Sequence, residues 1–322
     1  MQNIKDIVSK AWRVTQQHLK SLIWYGSVPA FFTVLVSSVY IGYQYNAFRH
    51  SALFGNQSET DLVAEISRIW ELVKHHPKLT LALVVVALIV FVGYVLSPPV
   101  FRGTLIYALN QIEKEESIEG SFQFGVRQFF PLFEFGVVTG SFSIVTLFSE
   151  SSFILRWWGE NIFFVALPIL LFIAMVGLIA SFLFTYAEYF IVLKGLGLIE
   201  SIKESALLVI GNLKKTILVF VLMLLIGARV IVNVLLVLFI PMGLIVVTSY
   251  FATIFFTTAG FIIIGIFSIL VLLVAAYLMG LFNIFTTAVW VFAFNMLTEH
   301  EITVAQVHHS EPVPAPEPPK EA

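Results

Sequence analysis

The chain has 322 residues, 59% of them hydrophobic and 12% charged, with a mean hydropathy of +0.94, whereas a water-soluble domain keeps about a quarter of its residues charged. It therefore reads as an integral membrane protein, and a net charge of -2 with basic residues in short, scattered clusters excludes a nucleic-acid partner. The lack of cysteine excludes disulfides, thiolate metal sites and a cysteine nucleophile.

The N-terminal stretch MQNIKDIVSKAWRVTQQHLK is too polar for a signal peptide, so insertion is expected to rely on the first span. A helix needs about 20 mostly apolar residues to cross the hydrocarbon core. Six such crossings are predicted, at 22–43, 79–100, 132–149, 161–190, 216–240 and 261–297, giving an all-α polytopic bundle. Between 216 and 297 there is almost no charge; Pro241 and the cluster TSYFATIFFTTAG (248–260) argue for one break, and three crossings are the alternative. The loop 44–78 contains SETDLVAEISRIWELVKHH, which places Leu62, Ile66, Ile69, Trp70 and Val73 on one face and predicts a surface helix.

Lys and Arg flanking the spans prefer the cytoplasmic side. With the N-terminus inside, twelve of them fall on the inner segments, Arg102 included, five fall on the outer ones, and Arg229 lies within a span. Both termini are therefore expected in the cytoplasm. The tail from 304 to 322, ending EPVPAPEPPKEA, has no means of forming a core and is expected to be disordered.

The segment GLIESIKESALLVIGNLKKTI (197–217) has apolar residues at Leu198, Ile202, Ala206, Val209 and Ile210 in helical spacing, then a Gly211-Asn212 stop. It predicts an interfacial amphipathic helix, with Asn212, Lys214 and Lys215 at the level of the lipid phosphates. Aligning residues 10–23 and 121–133 with 205–217 places Gln17, Gln128 and Asn212 at one position before three inward-to-outward spans. This suggests a three-hairpin repeat, although any helix entering a membrane shows basic, then polar, then apolar order.

The segments 105–136 and 184–217 resemble the multi-pass membrane domain that precedes the catalytic domain of some glycerophosphodiester phosphodiesterases, and its stand-alone bacterial relatives. The resemblance rests on Tyr189, Gly197, Ser205, Gly211 and Asn212 and covers roughly residues 80–300. The last span departs from it with VFAFNMLTEHE. It implies a fold and a bacterial cell-membrane location rather than an activity, because the longest polar segment is far too short for a metal-dependent phosphodiesterase barrel.

No residue set reads as catalytic or metal-binding, and no cofactor is expected. The pairs His75-His76 and His308-His309 lack ligand spacing, and Glu134, Glu150, Glu160 and Glu188 lie near span ends, where solvation explains them. Arg229 is different, lying about 20 Å into the fifth span at a rise of about 1.5 Å per residue. Asn283 has the same expected depth, and Asn233 lies one turn from Arg229 on its own face. Either these three form an intramembrane polar site for an anion, a lipid headgroup or a partner's carboxylate, or Arg229 snorkels or pairs with Glu150 or Glu160 to orient helices. The expected function is a non-enzymatic membrane module that organises a partner linked to membrane lipids; the alternative is a transporter of a lipid or small solute.

Overall fold

The computed structural model describes residues 4–49, 70–71, 73–75, 77–229 and 257–309, and all of its regular structure is helical. In chain order the helices are α1 (Ile4–Gln17), α2 (Leu19–Arg49), α3 (Pro77–Glu113), α4 (Ser121–Arg127), α5 (Phe129–Gly140), α6 (Ile144–Trp157), α7 (Gly159–Leu183), α8 (Ala187–Lys194), α9 (Leu198–Gly211), α10 (Leu213–Arg229) and α11 (Thr257–His309). The chain is a polytopic helical membrane bundle. Four stretches are each long and apolar enough to cross a membrane: Leu19–Gln44, Thr80–Glu113, Gly159–Lys194 and Gly265–Glu299. Two bent pairs make up to two more, α5 with α6 at 48° and α9 with α10 at 99°. Each of the six predicted crossings has its counterpart in these segments. Residues 230–256 lie outside the described residues, and with them the far end of the predicted 216–240 crossing, Pro241 and most of the 248–260 cluster.

The elements fall into three units of one design: a short helix, a break, an outgoing span, and a long returning span. The breaks come at His18, Gln128 and Asn212. Each break residue donates its N–H to the carbonyl four residues back (Val14, Phe124, Leu208) and accepts from the N–H four residues on (Leu22, Leu132, Thr216). Seven residues before the break the buried side chains are Ala11, Ser121 and Ser205; three before, Thr15, Gly125 and Val209; four after, Leu22, Leu132 and Thr216. The first unit is thus in register on His18, one residue later than the Gln17 that the amide alignment selects.

Each short helix packs on the returning span of the unit before it: α4 on α3, and α9 on α7 and α8. The first short helix, α1, packs on the last returning span, α11, which closes the ring. Small residues set these contacts, as is common where helices associate without a hydrophobic driving force between them. A Cβ on Gly125 would overlap Thr104 Oγ1 and lie 2.7 Å from Thr104 N, so α4 meets α3 backbone to backbone. A Cβ on Gly26 of α2 would overlap the Gly280 carbonyl oxygen of α11.

The buried face of α9 differs from the predicted stripe. Ser201, Ser205, Leu208 and Val209 are buried, Leu198, Ile202 and Ala206 are half-buried, and Ile210 is exposed. The reason is Ser205, whose Oγ accepts the Tyr186 N–H at 3.0 Å and donates to the Leu183 carbonyl at 2.7 Å. It thereby satisfies backbone groups freed at the α7–α8 break. A small polar residue serves there better than a large apolar one.

The returning spans divide along their length. On α3 the apolar residues from Leu81 to Leu96 are largely exposed, as are those on α7 from Ile162 to Ile179 and on α11 from Ile266 to Met279. Beyond those points the same helices are buried: Leu105, Ile106 and Leu109 on α3, Tyr186 to Val192 across the α7–α8 break and α8, and Ile284 to Leu297 on α11. Phe294 stacks on Tyr189 at 5.9 Å between ring centres and meets Phe190 edge-on at 4.9 Å. The bundle is therefore tightly packed at the end carrying the short helices, here the proximal end, and apolar and outward-facing at the distal end.

Of the predicted loop helix, Trp70, Glu71 and Val73–His75 are helical; Leu62, Ile66 and Ile69 lie outside the described residues. The last helix continues to His309, past the predicted start of the tail, and residues 310–322 lie outside the described set.

Candidate functional site: a polar-floored cavity at the junction of the spans

Where the packed and outward-facing halves meet, a cavity of about 340 Å³ opens among α2, α3, α5, α8 and α11. Its walls carry Pro29, Pro98 and Pro99, each inside a helix. Proline removes a backbone donor from the i−4 carbonyl and loosens the helix there. Its floor is polar, formed by Arg102 and Glu188 with Asn283 beside them.

Arg102 of α3 donates Nε–H to Glu188 Oε2 at 2.6 Å, Nη1–H to Thr287 Oγ1 at 2.6 Å and Nη2–H to the Tyr189 hydroxyl at 3.3 Å. Thr287 in turn donates to the Asn283 carbonyl at 2.6 Å. One guanidinium therefore ties together all three returning spans, α3, α8 and α11. The pair is not sealed: the Arg102 and Glu188 side chains are 33% and 24% exposed. The three bonds use three of the five guanidinium N–H groups, and the second carboxylate oxygen and the Asn283 side-chain amide make no hydrogen bond to a described residue.

The depth of the floor follows from the exposed apolar belt. Arg102 lies six residues beyond Leu96, about 9 Å, and Asn283 four residues beyond Met279, about 6 Å, at 1.5 Å per residue. Headgroup layers occupy about 5–8 Å on each side of the hydrocarbon core. Along α3 and α11 the floor thus lies about 6–9 Å proximal to the exposed belt, while on α10 exposed apolar residues from Ile217 to Leu225 continue on the proximal side of Gly227, which faces Phe282.

A second polar cavity of about 560 Å³ lies farther toward the proximal end. There Lys10 of α1 bonds Glu113 Oε1 at 2.6 Å, and Asn295 Nδ2 donates to Asn110 Oδ1 at 2.9 Å and Glu113 Oε2 at 2.7 Å. Tyr189, beside Arg102, stacks on Phe294, which lines this second cavity, so an aromatic layer separates the two. At the distal end Gln44, Tyr40, Ser149 and Ser152 form a network between α2 and α6, and Arg156 lies 5.3 Å over the Tyr43 ring. With Tyr43, Glu150 and Arg156, residues of that network line a further cavity of about 550 Å³ at the distal end.

Of the predicted polar site, Asn283 lines the central cavity. Arg229 is exposed at the end of α10, is not among the cavity residues, and forms no ion pair with a described residue, Glu150 and Glu160 included. A Cβ on Gly227, two residues before it, would lie 3.6 Å from Phe282 Cζ. Asn233 lies outside the described residues. Asn212 forms the α9–α10 break, with Lys214 exposed and Lys215 half-buried at the start of α10.

The residues sequence reasoning missed are Arg102, Glu188 and Thr287. The sequence reading ends the second span at Pro99-Val100 and leaves Arg102 in a cytoplasmic segment. In the structure α3 runs through both prolines to Glu113, as packed membrane helices can. The helical spacing of Leu105, Ile106, Leu109 and Ile112 after Arg102 was the available signal. Comparison of the chain with protein-family models, curated proteins and solved structures gives no match.

Proposed function

We propose that the chain is a non-enzymatic multi-pass protein of the cell membrane that serves as an organising module for a partner linked to membrane lipids. The observation that carries this reading is the division of each returning span into an exposed apolar part and a proximal part wrapped by short helices. A bundle so shaped embeds one half in the bilayer and holds the other as a rigid platform at the membrane surface. The resemblance of residues 105–136 and 184–217 to the membrane domain of glycerophosphodiester phosphodiesterases supports that reading. The proximal end lies in the cytoplasm on this reading: with Arg102 moved into the bundle, eleven lysines and arginines still flank that side against five on the other.

Exposed apolar residues on the short helices and just past their breaks support contact with the interface. Trp12, Phe122, Val126, Phe130, Leu207 and Ile210 are each more than 40% exposed at the proximal end. A second reading, a lipid or solute transporter, draws on the three repeated units and on two polar cavities with an aromatic layer between them. Extraction of the protein from its own membrane into polymer nanodiscs, with mass spectrometry of all co-purifying protein and lipid, separates the two. A stoichiometric protein partner supports the module. A selectively enriched lipid with no protein partner moves lipid handling into first place.

A further inference from the structure

We propose that the central cavity is a headgroup site for a zwitterionic aminophospholipid, with the lipid ammonium on Glu188 and its phosphate on Arg102 and Asn283. The inference rests on the reading that this bundle engages membrane lipids, and adds the ligand's chemistry and its place.

The floor is a neutral ion pair with spare capacity on both partners. Arg102 retains two N–H donors after its bonds to Glu188, Thr287 and Tyr189. Glu188 accepts from Arg102 through Oε2 alone, leaving Oε1 for a second donor. The Asn283 amide, on the same cavity, adds two N–H donors and an acceptor oxygen. A ligand that is only anionic would satisfy Arg102 and Asn283 but would bring its charge against Glu188. A ligand that is only cationic would do the reverse. A phosphate joined to a primary ammonium by two carbons meets both halves at once, and the ammonium has three N–H groups to give. A trimethylated ammonium has none.

Size agrees. At about 340 Å³ the cavity is near the small end of ligand sites and takes a headgroup with its glycerol rather than acyl chains. The chains have a path, because Phe91, Leu88, Leu273 and Leu270 line the exposed stretches of α3 and α11 on the distal side. Room remains at the wall: Gly136 of α5 lines the cavity, and a Cβ built there meets nothing within 4 Å.

The test uses the full-length protein in detergent micelles with equal amounts of phosphatidylethanolamine, phosphatidylcholine and phosphatidylglycerol, read by native mass spectrometry. The wild type is expected to retain the ethanolamine lipid about tenfold over each of the others, the scale of one charge-assisted hydrogen bond. Glu188→Gln should reduce that preference to within about twofold, because the acceptor for the ammonium loses its charge. Gly136→Leu should lower ethanolamine-lipid retention while leaving the thermal midpoint in place, which keeps the test sound should Glu188→Gln fold poorly. Equal retention of the three lipids, preference for phosphatidylglycerol, or a preference unchanged by Gly136→Leu overturns the proposal. Retention of none of the three overturns the lipid-engaged reading as well.

Discussion

Replacing Arg102 with leucine removes the one side chain among the described residues that is bonded to both α8 and α11. It leaves the Glu188 carboxylate, 24% exposed, on the floor of a largely apolar-walled cavity without its cation, and takes a donor from Thr287 and Tyr189. Breaking a buried pair from one side costs about 3–5 kcal/mol, while replacing both partners with apolar residues is often neutral. Because a quarter to a third of each side chain is exposed to the cavity, the low end applies, about 3 kcal/mol. The double variant Arg102→Leu/Glu188→Leu should therefore unfold closer to wild type than either single variant. Equilibrium unfolding by SDS titration in mixed micelles, followed by helical circular dichroism, reads all four corners of the cycle. Additive losses, or a double variant worse than both singles, would refute the claim that this pair is a coupled unit joining the three returning spans.

Gly125→Val should destabilise the protein by at least about 2 kcal/mol in the same titration, since its side chain would overlap Thr104 and force α4 off α3. Gly136→Ala, in open space within a helix, should be neutral or stabilising by up to about 1 kcal/mol. Ser205→Ala leaves the buried Tyr186 N–H without its acceptor and should cost about 1–3 kcal/mol, visible as faster hydrogen exchange at the α7–α8 break. Deleting residues 1–17 uncovers the face of α11 against which Trp12 packs on Phe285 at 5.7 Å. Its expected result is proteolysis near Phe285 in detergent that the full chain resists.

The membrane bundle, with its four long apolar helices and two bent pairs, was legible because a bilayer demands about 20 apolar residues in a row, a signal that survives ignorance of every contact. The repeat was legible in outline, and its register was one residue off in the first unit. Gln17 matches Gln128 and Asn212 by chemistry, but Ala11, Thr15 and Leu22 match the other units by burial, which centres the break on His18. Side-chain type was the weaker guide because the break is made by backbone hydrogen bonds that any residue supplies. The site was legible only at Asn283. Glu188 looked like an interfacial carboxylate and Arg102 like a loop cation, since a proline pair ends most helices in water; here packing among three returning spans carries α3 through. Glycines and serines decide several of these contacts, and their small size gives hydropathy patterns little to register.

The claim most exposed to test is that the cavity above Arg102 and Glu188 opens to lipid while the packed core just beyond it does not. Thr33 lines that cavity, whereas Ile106, one turn past Arg102 on α3, is fully buried. A benzophenone amino acid placed at each position in turn, irradiated in native membranes and analysed by intact-protein mass spectrometry, makes the comparison directly. The account predicts a phospholipid adduct at Thr33 and none at Ile106. Absence of lipid at Thr33, or equal lipid labelling at both positions, would contradict it.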